Sequence, residues 1–137
     1  MTPKQIKIRV VSKERYTTYL KKSREFLGAM DSSFKSGDWD AVGLNAVHCA
    51  ISAADALLVY HRGIRSASES HSDAAELLTL HIKDDQVGPK SKSLVKIMSY
   101  KHIAAYEDRE LTQVEAEDVA KLAQRFFEWA QSRMIPR

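Results

Sequence analysis

The chain has 137 residues, of which 44% are hydrophobic and 28% charged, and its net charge is +3. This size and balance predict one soluble domain over residues 1–137 and exclude a disordered or membrane-spanning chain. The N-terminus lacks the apolar run and cleavage site of a signal peptide, so we expect a cytoplasmic protein without a membrane partner. The only cysteine, Cys49, excludes an internal disulfide, and its apolar helical surroundings predict a buried, inert thiol.

Apolar residues recur at helical spacing along most of the chain. Ser12 is predicted to cap a first helix, which ends at Ser36-Gly37 because glycine readily adopts the left-handed conformation that closes a helix. Asp38 then begins a second, alanine-rich helix that ends at Gly63. Its apolar residues cover two adjoining faces, which predicts a central helix buried on more than one side.

Three further helices are predicted in the second half of the chain. Ser70 and Asp73 have the spacing of a capping pair at the start of the third helix, and the Gly88-Pro89 pair is expected to end it. The segment LVKIMSYKHIAAY predicts the fourth helix. The sequence TQVE at 112–115 is a capping box that begins the fifth.

Only residues 6–11, IKIRVV, look extended, and an isolated strand cannot build a sheet. The expected fold class is therefore all-α, an up-and-down antiparallel bundle of four to five helices. Its core is expected at about residues 12–132, after a short extended arm.

Motif spacing excludes several kinds of catalytic or metal site. The sequence has no glycine-rich phosphate loop, no G-x-S-x-G motif and no H-E-x-x-H motif. No glutamate has a histidine three residues later, as di-iron carboxylate sites require. His48, His61, His81 and His102 form no i, i+4 pair and are expected at the surface or partly buried. We therefore expect neither a metal ion nor a cofactor.

The segment HRGIRSASESH, residues 61–71, places two arginines, two histidines and three serines between apolar helices. If Ser70 caps the third helix, His71 is its first helical residue and Arg65 lies in the connection. A helix N-terminus attracts phosphate, and arginine can bind phosphate through two parallel hydrogen bonds. Histidine, with a pKa of about 6.5, exchanges protons at neutral pH.

Cleavage of a phosphodiester by the RNA 2′-OH needs these two functions, charge stabilisation and proton transfer, and needs no metal. From these residues alone, a polar capped loop without chemistry remains the alternative.

The wider sequence resembles the HEPN family of small helical domains. The resemblance covers roughly residues 12–132 and rests on the order of GDWDAVGLNAVHCAISAADALLVYHRG, then an arginine and a histidine in RSASESHSDAAELL, then AAYEDRELTQVEAEDVAKLAQRFFEWA. It implies a helical bundle that forms a homodimer. In many members an arginine and a histidine, roughly four to six residues apart, meet their dimer-related copies in a ribonuclease cleft. Arg65 and His71, separated by SASES, match that pair.

Other members resemble nucleotide-binding proteins, or toxins that pair with a nucleotidyltransferase-like antitoxin. In the toxin branch the arginine is commonly followed by asparagine or another polar, often larger residue, and a tyrosine stands two places after the histidine. Here those positions are Ser66 and Asp73. An acidic residue near a phosphate either caps the third helix or disfavours RNA.

Three hypotheses follow. The first is a metal-independent endoribonuclease in which Arg65 stabilises the scissile phosphate, His71 is general acid or base, and the product is a 2′,3′-cyclic phosphate. Ser70 and Arg62 are its accessory phosphate-binding residues, although an arginine that ends a helix can serve only the helix dipole. The second is a non-catalytic homodimeric module that binds a nucleotide or a partner protein. The third is a structural bundle with a solvated lysine-rich face, formed by Lys83, Lys90, Lys92, Lys96, Lys101 and His102.

Overall fold

The structure, a computed structural model, describes residues 5–134, and of His71 it describes the backbone alone. Its elements in chain order are β1 (Ile8–Val10), α1 (Tyr16–Ser36), α2 (Trp39–Arg62), β2 (Ile64–Ser66), α3 (His71–His81), α4 (Val87–Tyr106) and α5 (Gln113–Ser132). One turn of 3-10 helix, Lys13–Arg15, precedes α1. The all-α bundle predicted from the sequence is confirmed.

The central position of α2 is confirmed. It packs against α1, α3, α4 and α5, and every residue from Ala53 to Val59 is buried. Within residues 5–134, α2 is the one helix long and apolar enough to cross a membrane, and 72% of that apolar stretch is buried inside the protein. Such burial is what the core helix of a bundle shows.

Glycines set the ends and the close contacts of α2. Gly37 and Gly63 have φ angles of 73° and 63° and close α1 and α2 in the left-handed conformation, as predicted. Gly43 allows close packing, because a Cβ there would lie 2.5 Å from Cδ1 of Leu111. The loop before α5 therefore packs directly on the backbone of α2.

Cys49 and Ser23 join α1 to α2. The prediction of a buried thiol is confirmed, and burial raises the pKa of Cys49 to about 11, so the thiol stays protonated. Ser23 is also fully buried, and its hydroxyl donates a hydrogen bond of 2.7 Å to the Cys49 carbonyl. The one polar residue in the apolar stripe of α1 thus has a buried partner.

The prediction that Gly88-Pro89 ends the third helix was wrong. The helix α3 ends at His81, and both residues lie in the first turn of α4. The first N–H groups of a helix have no acceptor within it, so a proline in that turn removes no helical hydrogen bond.

The sequence suggested an isolated N-terminal strand, but the arm pairs with a second strand. It forms a two-stranded antiparallel ribbon in which Ile8 pairs with Ser66, Arg9 with Arg65, and Val10 with Ile64. Backbone hydrogen bonds at either end, of 2.8 and 2.9 Å, extend the pairing. The partner strand has only three residues and is followed by serines typical of a loop, so its sequence gives no strand signal.

Candidate functional site

Arg65 connects the ribbon to the two longest helices. Its position on β2 directs the side chain toward α2, where Nη2 lies 3.2 Å from Oδ2 of Asp55. The guanidinium carbon is 5.3 Å from the centroid of the Tyr19 ring on α1, within cation–π range. The side chain keeps 30% of its surface exposed, so it is held at the guanidinium and remains partly open to solvent.

Asp55 is the residue of this site that the sequence reading did not identify. Its side chain is 7% exposed, within the buried stretch of α2. Burial raises the pKa of Asp55 to about 6, and the positive charge of Arg65 opposes that rise. One feature of the sequence could have identified it. Asp55 is a lone carboxylate within an apolar run, and a buried carboxylate needs a positive charge beside it.

The guanidinium of Arg65 is only partly satisfied by this ion pair. Its Nε is buried and has no hydrogen-bond partner among the described residues. A buried donor without an acceptor costs about 1–3 kcal/mol. Asp55 therefore holds Arg65 in place through the terminal nitrogen Nη2. The other N–H groups of the guanidinium take no part in this ion pair.

The start of α3 is where the sequence predicts it, with Ser70 as N-cap and His71 as first residue. The predicted side-chain capping is wrong, because the Ser70 hydroxyl does not bond the helix backbone and lies 2.9 Å from the Ser72 hydroxyl. Asp73 instead accepts a 2.6 Å hydrogen bond from Ser68, whose oxygen accepts the Ser70 N–H. Ser68 and Asp73 thus shape the loop, and the side chain of His71 lies outside the described residues.

A polar cleft of about 490 Å³ opens beside the start of α3. Ser68, Ser70 and Asp73 line one part of its wall, and Lys7 and Glu69 contribute charges of opposite sign. Ala67 also lines it, two residues beyond Arg65. Arg65 itself does not line this cleft, but alternate residues of an extended segment share a face, so its side chain leaves the ribbon on the same side as Ala67.

Arg62 lies in another cleft, of about 320 Å³, which it shares with His61, His81, Asp84 and Arg133. Its Nε donates a 3.4 Å hydrogen bond to the His81 carbonyl. The C-terminal ends of α2, α3 and α5 meet here, and their unpaired carbonyls attract basic side chains. The structure therefore gives Arg62 a helix-end contact and does not bring it to the cleft lined by Ser70.

Other titratable groups have structural partners. His48 stacks on Phe26 at 5.2 Å between ring centroids, and burial, aided by Lys101, lowers its pKa. Lys96, on the lysine-rich face, lies 3.4 Å from a carboxylate oxygen of Asp118. Among the side chains that the structure describes, which leave out that of His71, no three from histidine, cysteine, aspartate or glutamate converge as metal ligands.

Comparison with known proteins places this bundle in a family. Residues 16–133 match the HEPN domain. The crystal structure of TT1696 from Thermus thermophilus is similar, with a TM-score of 0.64 at 22% identity, over 87% of this chain and 98% of that chain. No curated protein matches the sequence. At 22% identity the structural likeness shows the fold alone, whereas the domain match spans nearly the whole chain, and the chain belongs to the HEPN domain family.

Proposed function

We propose that this protein is a metal-independent endoribonuclease whose site is built from Arg65 and His71. HEPN proteins are often ribonucleases or nucleotide-binding proteins. The observation that carries the proposal is the anchoring of Arg65 by Asp55 and Tyr19, on the strand that leads directly to the N-terminus of α3. An arginine held in this way is preorganised to receive a phosphate. Preorganised charges and hydrogen-bond donors usually supply the largest electrostatic stabilisation in catalysis.

In the proposed reaction the 2′-oxygen of a ribose attacks the adjacent phosphorus as its proton leaves. The bond from phosphorus to the 5′-oxygen breaks, that oxygen gains a proton, and the products are a 2′,3′-cyclic phosphate and a 5′-hydroxyl. His71 acts as general acid or base in these proton transfers, and Arg65 stabilises the negative charge on the phosphoryl oxygens. The Ser70 hydroxyl, on the cleft wall, is the accessory phosphate contact.

A homodimer is part of the proposal, because one arginine and one histidine in a shallow loop hold a phosphate poorly. Exposed apolar side chains on α3 and on the ribbon face opposite Arg65 favour self-association. Leu80 on α3 and Ile8 on β1 are 58% and 46% exposed and line one shallow apolar cleft together. Burial of such a patch against its symmetry-related copy would bring the two α3 helices together.

The test is RNA cleavage by the purified protein in EDTA. We expect fragments with 2′,3′-cyclic phosphate and 5′-hydroxyl ends, and no cleavage of the same oligonucleotide with 2′-deoxy sugars. Cleavage of the deoxy strand, or dependence on added Mg²⁺, would contradict the proposal. A toxin role with a nucleotidyltransferase-like antitoxin remains a prediction from the family resemblance; co-purification of the two proteins and loss of cleavage in the complex would test it.

The second candidate function is a non-catalytic module that binds a nucleotide or a partner protein. One observation favours it, the carboxylate of Asp73 in the cleft wall, because an acidic residue near the phosphate position disfavours RNA. If no RNA is cleaved but a nucleotide raises the Tm of the parent and not of Arg65→Ala, this second function is correct.

A further inference from the structure

The N-terminal strand alternates apolar and basic side chains. Ile6 and Ile8 both line the shallow apolar cleft against α3, with Leu77 and Leu80. Successive side chains of an extended strand point to opposite faces. Lys7 and Arg9 therefore leave β1 on the other face of the ribbon.

That other face is the one that carries Arg65. Arg9 is the register partner of Arg65, and directly opposed residues of an antiparallel pair share a face, with Cβ atoms about 5 Å apart. Lys7 lies beside Ala67, whose N–H donates a 2.9 Å hydrogen bond to the Lys7 carbonyl. Same-face residues of a strand are about 7 Å apart. Three basic residues thus share one face, between Asp55 and the cleft at the start of α3.

Two of the three basic residues on this face have no ion-pair partner within residues 5–134. Two like charges directly opposed across a ribbon destabilise the pairing, and Asp55 offsets only that of Arg65. Lys7 and Arg9 are exposed and take part in no ion pair among the described residues. Glu69 and Asp73 line the cleft with Lys7 as opposing charges, and Asp73 accepts a hydrogen bond from Ser68. A row of anions along the ribbon would remove the repulsion.

We propose that β1 is the RNA-binding strand of this protein, with Lys7 and Arg9 holding phosphates that flank the one at Arg65. The inference rests on the proposed ribonuclease function and adds to it a defined path for the substrate along the ribbon. Contacts of this kind fix the position of a nucleic acid strand without reading its sequence, so cleavage preference comes from elsewhere in the site.

The test compares two charge-matched double variants in a His71→Ala background, which is expected to bind RNA without cutting it. Lys7→Gln/Arg9→Gln removes the proposed contacts, and Lys35→Gln/Arg125→Gln removes two exposed basic residues of α1 and α5. The affinity for a fluorescein-labelled oligouridylate is measured by anisotropy at several salt concentrations. A third variant, Lys7→Arg/Arg9→Lys, keeps both charges.

We expect Lys7→Gln/Arg9→Gln to weaken binding about tenfold or more at low salt. The slope of log K against log[salt] should become shallower by about 1.4, because each phosphate contact to a single strand contributes about 0.7. The RNA affinity of the control should stay within about twofold of that of the His71→Ala background protein. The charge-keeping variant Lys7→Arg/Arg9→Lys should bind RNA as tightly as the background protein does.

If Lys7→Gln/Arg9→Gln and the control Lys35→Gln/Arg125→Gln lose equal RNA affinity while the parent cuts RNA normally, this inference is overturned. The ribonuclease proposal would then remain intact. A parent that neither binds nor cuts RNA would overturn both. A thermal melt of each variant must match the background protein, and a loss of binding fully restored by the charge-keeping variant supports the assignment.

Discussion

The guanidinium of Arg65 lies 3.2 Å from the carboxylate of Asp55, which is buried in the middle of the central helix. This ion pair joins the strand before α3 to the core of the bundle. It gives the proposed catalytic arginine a structural role as well, since loss of Arg65 leaves the buried carboxylate of Asp55 without its cation. Function and stability are therefore coupled at Arg65.

Replacement of Asp55 by asparagine should flatten the dependence of stability on pH. The pKa of Asp55 rises from its usual 3.8 to about 6 on folding, so its contribution favours the folded state below about pH 4 and is lost as pH rises through 6. That loss amounts to about 3 kcal/mol by pH 8. Urea unfolding of parent and variant at pH 5 and pH 8 covers about half of that loss, about 1.4 kcal/mol, because pH 5 lies one unit below the folded pKa. Equal changes in the two proteins would show that Asp55 is not the titrating group.

The two substitutions of Arg65 should separate charge from geometry. Arg65→Ala leaves Asp55 without its cation, so the free energy of unfolding should fall by about 3 kcal/mol at pH 8 and by less at pH 5, where Asp55 can bind a proton. Arg65→Lys keeps the charge and most of the stability but loses the two parallel N–H donors with which a guanidinium binds a phosphate. RNA cleavage should then fall about tenfold, or about 1.4 kcal/mol of transition-state stabilisation. A variant Arg65→Ala as stable as the parent at pH 8 would contradict the ion pair.

Leu80→Lys should convert the proposed homodimer into a monomer. A charge placed in the apolar patch of α3 would be buried between the two copies without a partner. The matched control is Val114→Lys, because Val114 is 74% exposed at the start of α5. Light scattering at micromolar concentration should give twice the chain mass for parent and control and the chain mass for Leu80→Lys. A monomeric parent would exclude the composite site.

Two glycine-to-alanine changes should alter stability in opposite directions. A Cβ at Gly43 would lie 2.5 Å from the Leu111 side chain, whereas Gly28 has no atom within 4 Å of that position. Gly43→Ala should lower the free energy of unfolding by about 1–3 kcal/mol. Gly28→Ala, inside α1, should raise it by about 0.5–1 kcal/mol, since glycine is a poor helix former. Thermal melts of both variants decide whether α2 packs as closely as described.

The sequence predicted the helices well because the signals for them are local. Gly37 and Gly63 end helices as expected, and the capping box of Thr112 and Glu115 forms with both of its hydrogen bonds. The failures involve partners distant in sequence. β2 becomes a strand only because residues 8–10 lie beside it, and no pattern within IRS indicates that.

The candidate site was predicted in part for the same reason. Arg65 and Ser70 stand out because an arginine and a helix cap are visible in the local sequence. Asp55 belongs to the site through a contact between α2 and β2, which only the tertiary fold creates. Arg62 was predicted beside the phosphate from its sequence position, but the left-handed turn at Gly63 separates it from Arg65 and leaves it at the helix ends.

The ribonuclease proposal is most directly tested by the cleavage rate of His71→Ala, compared with that of His102→Ala, in which an exposed histidine of α4 is lost. Both variants should melt within about 2 °C of the parent, because a residue in the first turn of a helix adds little to the core. His71→Ala should abolish cleavage of RNA in EDTA, and His102→Ala should cut at the parent's rate. Undiminished cleavage by a well-folded His71→Ala protein would exclude His71 as the general acid or base.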